Sequence, residues 1–155
     1  MPKQSAGILM YRKMNGAEVL LVHPGGPFFS KKDLGVWSVP KGEYTETEDP
    51  LTAAIREFEE ETGQHLEGNF ISLTPIKQKG GKLVRAWAVE GDIVAERIVS
   101  NTFKMVWPPQ SQKLQTFPEV DRAEWFDIEK AKEKINQGQI PFLVELNNIL
   151  NENAI

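Results

Sequence analysis

The sequence predicts an α/β domain, a sheet covered by helices. Three observations carry this. Several strand segments crowd the early part of the chain, one strong helix stands near its middle, and two more helical patterns close it. A length of 155 residues, 40% of them hydrophobic and 26% charged, suits one domain over residues 1–155 with a large core.

Each element has a local reason. Ser5 to Tyr11 reads as a strand, Asn15-Gly16 as a two-residue hairpin turn, and Val19 to His23 as the return strand. Pro24 through Gly35 holds too much glycine and proline for regular structure, and Val36 to Val39 is a short extended piece. The helix Pro50 to Thr62 is bounded by chemistry: Asp49 caps it, Pro50 fits its first position and Gly63 its end. Leu51, Ala54, Ile55, Phe58 and Thr62 form its apolar face. Strands follow at Phe70 to Ile76 and Leu83 to Val89, joined through Gly80-Gly81. Asn101 to Pro109 is a loop or short strand, and Arg122 to Phe126 a strand. Ile128, Ala131 and Ile135 mark a second helix ending near Gly138. Pro141 starts a third, with Phe142, Leu143, Leu146, Ile149 and Leu150 inward.

Composition excludes several classes. The absence of cysteine removes disulfides, thiolate metal sites and a cysteine nucleophile. Apolar runs such as Val19 to Val22 are too short to span a membrane, and the first five residues lack a signal-peptide core, so a cytoplasmic location is the default. A net charge of −4 disfavours a nucleic-acid partner.

The informative stretch is Gly42 to Gln64. Glu57, Glu60 and Glu61 share one helical face, where like charges repel and hold protons too long. A divalent cation relieves both, and several carboxylates completed by water and substrate phosphate suit Mg²⁺. The competing reading, a solvated acidic face, is weakened here because Arg56 offers one charge to several acids and the opposite face is apolar.

These residues resemble the box of the Nudix hydrolases, G-x5-E-x7-R-E-U-x-E-E-x-G-U, where U is bulky and aliphatic. The chain has Gly42, Glu48, Arg56, Glu57, Glu60, Glu61 and Gly63 at the matching positions; Phe58 and Gln64 depart from the two U positions. The resemblance implies an α/β/α sandwich around a mixed sheet, with the box as loop–helix–loop. It implies that Glu60 and Glu61 are metal ligands, that Glu57 is a ligand or activates water, and that the Lys41 backbone carbonyl is a further ligand. It also implies that Arg56 and Glu48 form a structural pair. The cofactor implied is Mg²⁺, with Mn²⁺ as a substitute. The reaction implied is hydrolysis of a phosphoanhydride in a nucleoside diphosphate linked to another group. A homodimer is compatible with the family.

The box does not fix the substrate. Trp37-Ser38-Val39-Pro40-Lys41-Gly42 resembles the segment leading into the box in the dinucleoside polyphosphate and diphosphoinositol polyphosphate branches. The tyrosine expected of diadenosine tetraphosphate hydrolases beyond the box is missing, with Gly80, Gly81 and Lys82 in its place; the proline of ADP-ribose hydrolases is missing too. The small-molecule nucleotide favoured is a dinucleoside polyphosphate or a nucleoside triphosphate. RNA 5′ ends, diphosphoinositol polyphosphates and a non-catalytic nucleotide-binding module are the alternatives. Lys41 is also a candidate substrate contact. Lys77, Lys79, Lys82 and Arg85 form either a phosphate-contacting rim or a solvated turn tip. Trp87 either stacks on a base or packs in the core, and Phe28 and Phe29 either clamp a base or anchor their loop. Glu119, six residues before Trp125, is the candidate metal ligand outside the box. His23 and His65 lack a zinc pattern, and His23 reads as structural.

Overall fold

The computed structural model describes residues 4–152, apart from the side chain of Lys79. The order is β1 (Gln4–Lys13), β2 (Ala17–Pro24), β3 (Lys41–Glu43), α1 (Pro50–Thr62), β4 (Ile71–Ser72), β5 (Ile76–Lys77), β6 (Leu83–Glu90), β7 (Thr102–Val106), β8 (Leu114–Pro118), β9 (Val120–Asp127), α2 (Ile128–Lys134) and α3 (Ile140–Glu152). The main sheet runs β4-β6-β1-β2-β9, with β3 paired to β1 and β5 to β6. It is mixed: β1 and β6 are parallel over eight residue pairs, from Gln4↔Leu83 to Tyr11↔Glu90, and the other pairings are antiparallel.

The sheet is covered on both faces, which is the expected sandwich. One core joins Leu9, Tyr11 and Val84 to Phe142, Leu143 and Leu146 of α3 and Ala131 of α2. The other joins Ile8, Met10 and Leu20 to Ala53, Ala54 and Phe58 of α1. Alternating side chains of β1 feed the two cores in turn.

Helix α1 has the expected bounds. The Asp49 side chain accepts from the Thr52 N–H at 3.0 Å. Gly63 adopts φ 71° and returns its N–H to the Glu59 carbonyl at 2.7 Å. Of the two departures from the box, Phe58 is fully buried, and Gln64 donates to the Val94 carbonyl at 3.0 Å.

Two expected elements need correction, the strand before β6 and the end of the second helix, and two strands, β3 and β8, are unexpected. The strand expected over Phe70 to Ile76 is two short pieces on β6, interrupted around Thr74-Pro75, where proline has no N–H for the ladder. The region Asn101 to Pro109 supplies β7, which pairs with the unexpected β8 as a separate two-stranded sheet. Beyond the bridges Val22↔Ser38 and Trp37↔Ile135, the chain forms β3 at Lys41–Glu43. The second helix ends at Lys134, and a 3-10 turn spans Gln137–Gln139 before α3.

Candidate active site

Helix α1 lies over β1 and β3, and this places its acids. Gly42 of β3 sits directly beneath Glu57: a Cβ on residue 42 would lie 2.1 Å from the Glu57 Cδ. The box glycine is therefore a matter of space at this site, not of an unusual backbone angle.

Arg56 organises the near side. It grips Glu48 with two nitrogens, Nε at 2.9 Å and Nη2 at 3.1 Å, in the planar fork that suits a carboxylate. Its Nη1 also donates to Glu57 at 2.9 Å and to both oxygens of Glu60 at 3.2 Å. The expected Arg56–Glu48 pairing is thus a bidentate clamp tying the loop before α1 to the helix. Glu59 turns away, accepting from the Leu66 N–H at 3.0 Å.

Glu61 is the buried member, 7% exposed. It lines a cleft of about 180 Å³ with Glu119, Lys41, Pro24, Ser38 and Val120. Burial, then the charges of Glu57 and Glu119, push its carboxyl up to about 8, against a smaller opposing effect of Lys41. Burial and the charge of Glu60 also raise Glu57. Burial, then the charge of Lys82, hold Lys41 below the usual lysine range.

Glu119 reaches this cleft because the hairpin β7–β8 is rooted beside α1. The Asn101 N–H donates to the Glu60 carbonyl at 2.9 Å, the Glu119 N–H to the Asn101 carbonyl at 2.8 Å, and the Gly25 N–H to the Glu119 carbonyl at 2.9 Å. Asn101 carries no motif; its part is played by backbone, which a sequence does not advertise.

A divalent cation fits the donor chemistry. All the side-chain donors are hard oxygens, and Glu57 and Glu119 raise the proton affinity of the buried Glu61, a repulsion that a cation relieves. Among the described residues no three acids or histidines are already gathered round one point. The reason is visible: Arg56 draws the Glu57 and Glu60 carboxylates to itself.

The other candidates separate. Lys82 reaches toward Glu43, with 3.9 Å between Nζ and Oε1. Arg85 shares the α1-facing side of β6 with Trp87, and its buried Nε has no hydrogen-bond partner among the described residues. These two cations and the exposed Lys77 therefore do not form one rim, and the Lys79 side chain lies outside the described residues. Trp87 packs, partly buried, on the α1-side core. Phe28 is 58% exposed and meets Trp107 edge to face at 5.3 Å, and Phe29 is also exposed. His23 is fully buried, its Nε2 2.7 Å from the Lys32 carbonyl and its Nδ1 2.8 Å from Asp121, a structural place as expected. His65 is exposed beside Glu59 and Glu67.

The fold and this carboxylate cleft agree with the comparisons. The sequence profile of the NUDIX domain matches residues 1–146, and the chain belongs to that family. It is a Nudix hydrolase, acting on acid anhydrides in phosphorus-containing compounds. An Ap4A hydrolase from C. elegans, in a binary complex, has a similar structure: TM-score 0.65, 23% identity, covering 96% of this chain and 98% of that one. The NUDIX domain of Shewanella oneidensis NrtR, complexed with ADP ribose, gives TM-score 0.64 at 15% identity, covering 97% and 89%. A mutT/nudix family protein from Listeria innocua gives 0.62 at 17%, covering 99% and 97%. At these identities the likeness is one of fold. No curated protein matches the sequence.

Proposed function

We propose that the chain, acting as one catalytic domain, is a Mg²⁺-dependent pyrophosphohydrolase of a dinucleoside polyphosphate, with a nucleoside triphosphate as the second substrate class. The observation that carries this is the buried Glu61 facing Glu119 and Lys41 in one cleft, with Glu57 against Gly42. Glu57, Glu60, Glu61, the Lys41 carbonyl and Glu119 would hold the cation, with Mn²⁺ as a substitute. When bound, it offsets phosphate charge and lowers the pKa of coordinated water.

The chain's own residues do the rest. Arg56 and Glu48 fix the pitch of α1 over β3. A water oxygen attacks phosphorus and the bridging P–O bond breaks. The water's proton passes to a carboxylate oxygen of Glu57, whose raised affinity for protons suits a base. The cleft of about 180 Å³ takes the reacting phosphates but is smaller than the ~300 Å³ or more of a whole-ligand pocket, so the nucleosides lie outside it. The exposed Phe28 ring, set edge to face against the half-buried Trp107, offers aromatic surface to a nucleobase. The C. elegans neighbour's description as an Ap4A hydrolase supports the dinucleotide reading.

The test is a substrate panel with Mg²⁺: nucleoside triphosphates, diadenosine polyphosphates, ADP-ribose, diphosphoinositol phosphates and triphosphorylated RNA, each with wild type and Glu60→Gln. Selective cleavage that the variant abolishes while staying folded supports the reading. Absence of cleavage by folded, metal-loaded protein refutes it.

A further inference from the structure

Gln139, on the 3-10 turn that leads into α3, is shut inside the protein, only 1% exposed. A buried amide must find partners for both its ends. This one finds them in the segment that enters the box. Its Oε1 accepts from the Val39 N–H at 3.1 Å, and its Nε2 donates to the Ser38 hydroxyl oxygen at 3.1 Å. A backbone N–H can only donate, so the orientation of the amide is fixed. The Ser38 hydroxyl has one proton to give, and the Val39 carbonyl at 2.7 Å is nearer to it than Gln139 Oε1 at 3.3 Å. The bonds therefore close a ring, from Gln139 to Ser38, from Ser38 to Val39, and from Val39 back to Gln139.

The ring fills a gap in the backbone pairing of this segment. The Trp37 N–H donates to the Lys134 carbonyl at 3.0 Å, and the Trp37 carbonyl accepts from Asn136 at 2.8 Å. Ser38 exchanges two bonds with Val22, at 2.9 and 3.0 Å, and the Pro40 carbonyl accepts from Ile8 at 3.0 Å. Between them, the N–H of the fully buried Val39 is met by a side chain instead of a strand. Methionine or leucine would fill the same space but leave that N–H without its acceptor. Two residues on, the Lys41 backbone bonds the Glu61 carboxyl. Ser38, Val39, Lys41 and Glu61 line one cleft with Glu119. Gln139 thus reaches the lining of the acid cleft from the layer of α2 and α3, across the sheet from α1.

We propose that Gln139 is a positioning residue for the hydrolysis: by holding Ser38 and Val39 it sets the Lys41 peptide, whose N–H bonds Glu61 and whose carbonyl is the backbone donor of the cleft. This rests on the hydrolase reading above. Both bonds of the amide go to the entry segment, so Gln139 acts through the placement of Lys41 and Glu61. Its loss therefore falls on the rate of the chemical step and spares the grip on the nucleosides.

The experiment compares wild type, Gln139→Met, Gln139→Glu and Leu146→Ala on diadenosine tetraphosphate with Mg²⁺. Methionine keeps the length of the side chain and removes both hydrogen bonds. In Gln139→Met, kcat should fall about tenfold while KM stays within about twofold of wild type. Gln139→Glu, in which burial favours the neutral acid, keeps an oxygen for the Val39 N–H and should recover most of the loss. Leu146→Ala thins the same core and removes no bond of the entry segment, so it should lower Tm and leave kcat unchanged. Amide hydrogen exchange on the metal-free proteins is the second readout. In Gln139→Met the Lys41 N–H should lose about tenfold in protection relative to the Leu9 N–H of β1, whereas in Leu146→Ala the two should change together. A kcat that follows Tm alike in Gln139→Met and Leu146→Ala, a rise in KM without loss of kcat, or unchanged relative protection at Lys41 overturns the proposal. If Gln139→Met does not fold, Gln139→Asn, one methylene too short for Val39, takes its place under the same criteria. If wild type cleaves no anhydride, the hydrolase reading fails, and the exchange data still decide whether Gln139 holds Lys41.

Discussion

Replacing Glu61 by glutamine should stabilise the metal-free protein at neutral and alkaline pH while abolishing its response to metal. The Glu61 carboxyl is raised from an ordinary 4.5 to about 8, chiefly by burial. For a group raised in the folded state, the folded protein binds the proton more tightly, so its contribution is full below about pH 4.5. It declines as pH rises and is lost above about pH 8. At about 1.4 kcal/mol per unit, the protein is less stable by about 3 kcal/mol at pH 7 than below pH 4.5, because the unfolded chain ionises Glu61 first. Glutamine keeps the shape, stays neutral at every pH and still accepts from the Lys41 backbone, which Glu61 uses. The variant's Tm should exceed that of wild type by roughly 6–10 °C at pH 7.5 in chelator. That gap should close by pH 5. Saturating Mg²⁺ should raise the wild-type Tm and leave the variant's nearly unchanged. Thermal melts at four pH values, with and without Mg²⁺, decide it. A Tm difference independent of pH, or a variant less stable than wild type at pH 8, would refute the reasoning.

Three other outcomes follow. Arg56→Ala should reduce kcat by at least about tenfold, since it releases Glu48 and leaves Glu57 and Glu60 unbraced; steady-state kinetics and circular dichroism separate this from unfolding. Phe58→Ala should destabilise the fold by about 3–5 kcal/mol, measured by urea denaturation, because the ring is fully buried under α1. Activity should rise from pH 6 to pH 9 as Glu57 and Glu61 lose the protons they hold above the ordinary carboxylate range, and a rate maximum near pH 5 in a pH profile would contradict the assignment.

What the sequence made legible follows from how each feature is encoded. Helix α1 was readable to the residue because Asp49, Pro50 and Gly63 each do one local job at its ends. Glu119 was readable from its spacing to Trp125, and it does face the acids. Strand β3 was not readable, because three residues, Lys41, Gly42 and Glu43, earn their place by backbone pairing with β1. Strand β8 was hidden for a related reason: Leu114, Gln115 and Thr116 are all exposed, so no alternation of apolar and polar residues marks them. The depth of Glu61 was equally invisible. Glu60 and Glu61 are adjacent letters in one box, yet Glu60 bonds Arg56 at the surface while Glu61 is enclosed in the cleft with Glu119.

The hairpin β7–β8 behaves as a cantilever. Its root is bolted by the Asn101, Glu119 and Gly25 backbone bonds, and farther out Phe103 abuts Gly26 and Trp107 meets Phe28. Length and sequence at the tip, from Trp107 to Lys113, can therefore drift without moving Glu119. A lineage carrying this architecture is free to retune what it grips at a distance while the anchoring of its acids stays unchanged.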